Sequence, residues 1–146
     1  MKFLIAGLGN IGEEYQATRH NIGFMVLDAL SEKYKSEFSQ GRHVFHSEIK
    51  VKGKTLLLIK PSTYMNLSGK AIRYWLNEAK IGIPNLLVVT DDIALPFGKN
   101  RIKAKGSHGG HNGLRNIEEL IGTKEFPRLR MGVGDNFPKG RQVEYV

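Results

Sequence analysis

Short apolar runs alternate along this chain with stretches of helical spacing. Lys2 to Ala6 is mostly apolar and ends at Gly7, the pattern of a buried strand running into a glycine-rich turn. Phe24, Leu27, Leu30 and Tyr34 then recur at helical spacing and predict a helix over about 22–35, with Asn21 at its cap. Val44 to Val51 and Lys54 to Ile59 flank a Lys52-Gly53 turn and predict a hairpin, stopped by Pro61. A second helix is expected through about Ala79, capped by Asn66 or Ser68, with Leu67, Ala71, Tyr74 and Trp75 inward and Gly82 to Pro84 ending it. Leu86 to Val89 predicts another buried strand, running into Asp91 and Asp92. Beyond it Asn100 to Lys105 alternates, Gly106 to Gly113 forms a glycine-rich loop, a helix covers about 113–121, and Arg128 to Val133 alternates again. Interleaved strands and helices predict a single α/β domain over 1–146, a mixed twisted sheet flanked by helices.

Composition narrows the classes available. The chain has 146 residues, enough for one domain, and its 40% hydrophobic and 25% charged residues are those of a chain that packs a core. The longest apolar stretches, such as Leu56 to Ile59, fall far short of the roughly 18 to 20 residues that cross a bilayer, so no membrane association is expected. Phe3 to Ala6 is too short for the apolar core of a signal peptide, and the expected location is the cytoplasm. With no cysteine, a disulfide framework, a thiolate zinc site, an iron–sulfur cluster and a cysteine nucleophile all drop out.

Charge changes the picture further. The chain carries 22 Lys and Arg against 14 Asp and Glu, a formal net charge of +8, which favours a polyanionic partner. Between Lys99 and Arg130 eight basic residues face three acids. Strand alternation sets Arg101, Lys103 and Lys105 on one face, and Arg128 and Arg130 opposite Leu129 and Met131, so two strands would offer basic faces to phosphates. No aromatic ladder suggests readout of single-stranded bases.

The run GLGNIG at 7–12 matches G-x-G-x-x-G after a strand. A dinucleotide site also needs a helix opening at the third glycine and an acid ending the next strand. Here the helix is expected near Asn21, with Asp28 and Glu32 inside it, so the glycines are read as a sharp strand exit.

Other residues carry more chemistry. His20 precedes the first helix, and Asp91 lies where a buried strand ends. A histidine held by a carboxylate is a general base with a fixed tautomer. Asn10, Asn21, Asn66 and Asn112 fall at loop positions, where amides cap turns or converge on a peptide backbone and an oxyanion. His108 and His111, like His43 and His46, are spaced His-x-x-His, but glycines deny the first pair a rigid ligand face and no Cys or Glu stands at ligand spacing. No metal and no cofactor is expected.

GLGNIGEEYQATRHNIGF at 7–24, KPSTYMNLSG at 60–69, the DD-x-x-LPFG run at 91–98, GSHGGHNGLRNI at 106–117 and FPRLRMGVG at 126–134 together resemble bacterial peptidyl-tRNA hydrolase, in order and along essentially the whole chain. The likeness is to the first three-quarters of that family, and a C-terminal region is expected beyond Gln142 to Val146, which reads as the opening of a strand. It implies a monomeric enzyme that cleaves the ester joining a peptide to the 3′ ribose of tRNA, with peptidyl-tRNA as partner and recycled tRNA as product. It also implies His20 as the base that activates water, Asp91 as its orienting acid and Asn10 as a group holding substrate near the scissile ester. Asn66 and Asn112 would grip the peptide backbone and stabilise the oxyanion, Met65 and His111 would line the cleft, and Tyr15 would lie near the tRNA 3′ end. Lys103, Lys105, Arg128 and Arg130 fall in the family's tRNA-phosphate region. Ile11, Glu13, Thr90, Asp92 and Ala94 depart from the family pattern without removing a position named here. A rival is a non-hydrolytic RNA-binding relative on the same fold; the joint presence of Asn10, His20, Asn66 and Asp91 favours the enzyme.

Overall fold

β1, Lys2–Gly7, runs through the middle of the sheet, and its last four residues are all buried because both faces are covered. The computed structural model describes residues 1–9, 22–63, 67–92, 100–103 and 112–132. In chain order the remaining elements are α1 (Ile22–Lys33), β2 (Ser39–Gly41), β3 (Val44–Val51), β4 (Lys54–Pro61), α2 (Ser68–Glu78), β5 (Leu86–Asp92), β6 (Asn100–Lys103), α3 (Asn112–Ile121) and β7 (Arg128–Gly132), with a 3-10 turn at Ile83–Asn85.

Among the described residues seven strands form one sheet in the order β2-β3-β4-β1-β5-β7-β6. The four central strands β4, β1, β5 and β7 are parallel, whereas β3 joins β4, β2 joins β3 and β6 joins β7 antiparallel. The predicted β3–β4 hairpin is present, its turn at Lys52 and Gly53 having both residues at positive φ, as the twist of two-residue hairpins requires.

Each face of the sheet buries its own core. Leu4, Ala6, Leu86 and Val88 point to the side covered by α2 and α3, where they meet Ile72, Leu114, Ile117 and Phe126. Ile5, Leu58 and Val89 point to the other side, against Leu27 of α1. An ion pair from Lys60 on β4 to Asp28 on α1, at 2.6 Å, also ties that helix to the sheet.

The structure adds two local features and revises one expectation, that Leu67 points inward. β2 is three polar residues without periodicity, and it exists because the Arg42-His43 turn folds it back onto β3. Leu67 is 45% exposed rather than inward, since it precedes α2 as the N-cap. α2 ends before Gly82, through Lys80 in the left-handed region and a hydrogen bond from the Ile81 N–H to the Leu76 carbonyl. No helix among the described residues is long and apolar enough to cross a membrane.

Candidate active site

Because β4, β1, β5 and β7 are parallel, Pro61, Gly7, Asp92 and Gly132 all end at one edge of the sheet. The carboxyl edge of such a sheet is where side chains from several loops can converge. α1 and α2 start there after β1 and β4, and α3 runs from that edge back to the start of β7. The first turns of all three helices carry no acid. Three helix N-termini therefore present partial positive charge at one edge, which favours anionic groups.

Asp91 stands at the end of β5 and is only 5% exposed. Strand alternation places it on the face of Leu87 and Val89, the face covered by α1. The Thr90 hydroxyl lies 3.4 Å from Asp91 Oδ1. The first turn of α1 comes down directly beside this strand: a Cβ on Gly23 would lie 2.5 Å from the Leu8 amide nitrogen and 2.7 Å from the Val89 carbonyl oxygen. The Val89 carbonyl also accepts the Leu8 N–H at 2.9 Å. Backbone packs on backbone here, and the chain must enter α1 next to the strand that ends in Asp91. Asp28, an acid at dinucleotide-binding distance from the glycine run, sits on α1 paired with Lys60.

At the exit of β4 the α2 helix starts without a cap of its own. Leu67 has no side-chain acceptor, and the Gly69 N–H instead donates to Asn116 Oδ1 of α3 at 2.7 Å. The N-cap position itself falls on Leu67, and Asn66, expected as a cap, lies outside the described residues. One sequence offered no signal for the partnership, because its two ends are 47 residues apart.

β6 and β7 pair Arg101 with Arg130 and Lys103 with Arg128, which puts all four positions on one face of the ribbon. Register with β5 shows this to be the face of Val88 and Thr90, under α3. Arg128, expected in the tRNA-phosphate region, is fully buried here. Its Nη2 donates to the Lys124 carbonyl at 2.6 Å, its Nη1 lies 3.8 Å from Glu118 Oε1, and its guanidinium stands 4.0 Å over the Phe126 ring. Burial and repulsion from Arg130 pull its pKa below the ordinary value, and Glu118 opposes them. Arg130, one pair further along the strand, is partly exposed.

Asn10, Tyr15, His20, Met65, Asn66, Lys105 and His111 lie outside the described residues. For Lys103 and Asn112 the backbone is described, in β6 and at the start of α3, and the side chains lie outside. Among the described residues no three His, Asp or Glu side chains gather as a metal site. His43 and His46 are occupied by aromatic neighbours, edge-on to Tyr74 at 5.9 Å and tilted over Trp75 at 5.2 Å.

A buried carboxylate ending a central parallel strand, next to the start of α1 at the sheet edge where all three helices begin, defines an α/β protein with the layout of an enzyme. A family model described as peptidyl-tRNA hydrolase matches residues 4–146. The peptidyl-tRNA hydrolase of Cytophaga hutchinsonii is 60% identical over 146 residues, covering all of this chain and 78% of that one. That of Clostridium botulinum is 44% identical over 145 residues, 99% of this chain and 76% of the relative. The crystal structure of the Acinetobacter baumannii peptidyl-tRNA hydrolase superposes with a TM-score of 0.90 at 37% identity, over 99% of this chain and 74% of that one. The chain belongs to the peptidyl-tRNA hydrolase family and is an enzyme of that class.

Proposed function

We propose that this chain hydrolyses the ester between a peptide and the 3′ ribose of tRNA, using water activated by His20 and returning tRNA for reuse. The observation that carries this reading is the buried Asp91 at the end of β5, on the face where Gly23 packs against Val89. In sequence His20 comes two residues ahead of Ile22, which opens α1.

In this mechanism Asp91 accepts a hydrogen bond from one imidazole nitrogen of His20 and leaves the other basic. That nitrogen takes a proton from water while the water oxygen bonds to the ester carbonyl carbon. The tetrahedral oxyanion collapses, the bond to the ribose oxygen breaks, and that oxygen takes the proton back from the imidazolium. Asn10 holds the substrate near the ester, and Asn66 and Asn112 grip the peptide backbone and donate to the oxyanion, where hydrogen bonds strengthen most in the transition state. Met65 and His111 line the cleft and Tyr15 meets the 3′ end. Lys103, Lys105 and Arg130 contact tRNA phosphates, supported by the net charge of +8. Arg128 belongs to the support beneath them.

The test is release of tRNA from an N-blocked aminoacyl-tRNA, run with wild type, His20→Ala and an unblocked substrate. Cleavage of the blocked substrate alone, lost in the mutant, is expected. Near-normal turnover by His20→Ala would sink the mechanism.

A further inference from the structure

We propose that Asn116 is a positioning residue for this reaction, holding the starts of α2 and α3 in one fixed relation. The proposal rests on the reading that Asn66 and Asn112 grip the peptide backbone and the oxyanion.

Gly69 is the second residue of α2, where the backbone N–H has no acceptor within its own helix. The residue just ahead of a helix ordinarily supplies one, but here that residue is Leu67 and no side-chain cap forms. Asn116 Oδ1 takes the role from the neighbouring helix, at 2.7 Å. The approach is close enough that a methyl group on Gly69 would lie 2.6 Å from the Asn116 carbonyl oxygen and 2.8 Å from its Oδ1. Glycine at 69 and a short amide at 116 thus work as a pair: the first lets the helices touch and the second locks how far one can slide along the other.

The lock is close in sequence to the proposed catalytic groups. Asn66 is three residues before Gly69, and Asn112 opens α3 one turn before Asn116. A slip at this contact shifts both asparagines relative to each other. Misplacement of about 1 Å in groups that act on the transition state costs on the order of 10²-fold in rate. Affinity for tRNA, which comes from phosphates contacted elsewhere, has no reason to change.

The experiment compares wild type, Asn116→Ala, Asn116→Asp and His20→Ala in steady-state cleavage of an N-blocked aminoacyl-tRNA, well below the melting temperature of every variant. Asn116→Ala should lower kcat at least about tenfold with KM within about twofold, the split expected when an interaction made only in the transition state is lost. Asn116→Asp keeps an oxygen for the Gly69 N–H, with a charge that the helix start tolerates, and should restore kcat to within about threefold of wild type. Wild-type kcat in Asn116→Ala, or failure of Asn116→Asp to restore it, overturns the proposal. Activity in His20→Ala would instead overturn the base assignment, and leaves the Asn116 comparison standing because that is made against wild type. An inactive wild type removes the hydrolase reading, and this proposal with it.

Discussion

Gly7 at the end of β1 and Gly23 in the first turn of α1 touch so closely that a Cβ on Gly7 would lie 2.3 Å from the Gly23 carbonyl oxygen. The contact is made of backbone, so neither side can rotate away. It is what brings the start of α1 down beside the strand ending in Asp91.

Gly7→Ala and Gly23→Ala should each destabilise the fold by about 1–3 kcal/mol, the usual cost of forcing atoms into a packed site. Helix propensity would favour alanine at 23 by about 1 kcal/mol, which is too little to reverse the sign. Denaturant unfolding measures this, and an unchanged midpoint for Gly23→Ala would refute the close contact.

Arg128→Ala should act on stability, and Arg130→Ala on binding. The buried Arg128 partners Glu118 and the Lys124 carbonyl, and removing one member of a buried ion pair costs about 3–5 kcal/mol. Arg130→Ala and Lys103→Ala should weaken tRNA binding and lower the slope of log K against log salt by about 0.7–0.9 each. Salt titrations beside thermal melts separate the two behaviours; a stable Arg128→Ala with a reduced salt slope would reverse the assignment.

Asp91→Asn keeps the size of the side chain and removes its charge. Turnover should fall by up to about 10²–10⁴-fold, the range contributed by the general base that Asp91 orients, while tRNA affinity holds. Single-turnover cleavage measures this, and a loss of less than about threefold would leave Asp91 without a catalytic role.

His43 should titrate below its ordinary value of 6.5, because burial disfavours the charged ring and Lys70 and Arg42 repel it. A folded-state pKa below the unfolded one means that the unfolded chain takes up the proton first as pH falls. The stability tied to His43 is therefore full above pH 6.5 and drains as pH drops from there through the lower folded value. NMR titration of the imidazole checks the direction, and Lys70→Ala should move the midpoint upward.

Much of this protein can be read along its own chain. The continuous apolar run of β1 announces a strand buried on both faces, Lys52-Gly53 announces the hairpin, and the apolar stretch of β5 places Asp91 at a strand end. The ordered motifs point to the family. These features are local, and periodicity and turn chemistry act over a few residues. The tertiary structure decided what lies on top of each face. Alternation in Arg128 to Gly132 separates two faces, but only the position of β7 between β5 and β6 under α3 decides that Arg128 is sealed in. A leucine ahead of α2 gives no hint that the helix is capped at all, since its acceptor arrives from Asn116, brought near only when both helices have packed on the same sheet. Burial and hydrogen bonds between distant segments depend on which surfaces meet, and that is a property of the folded chain rather than of any stretch of it.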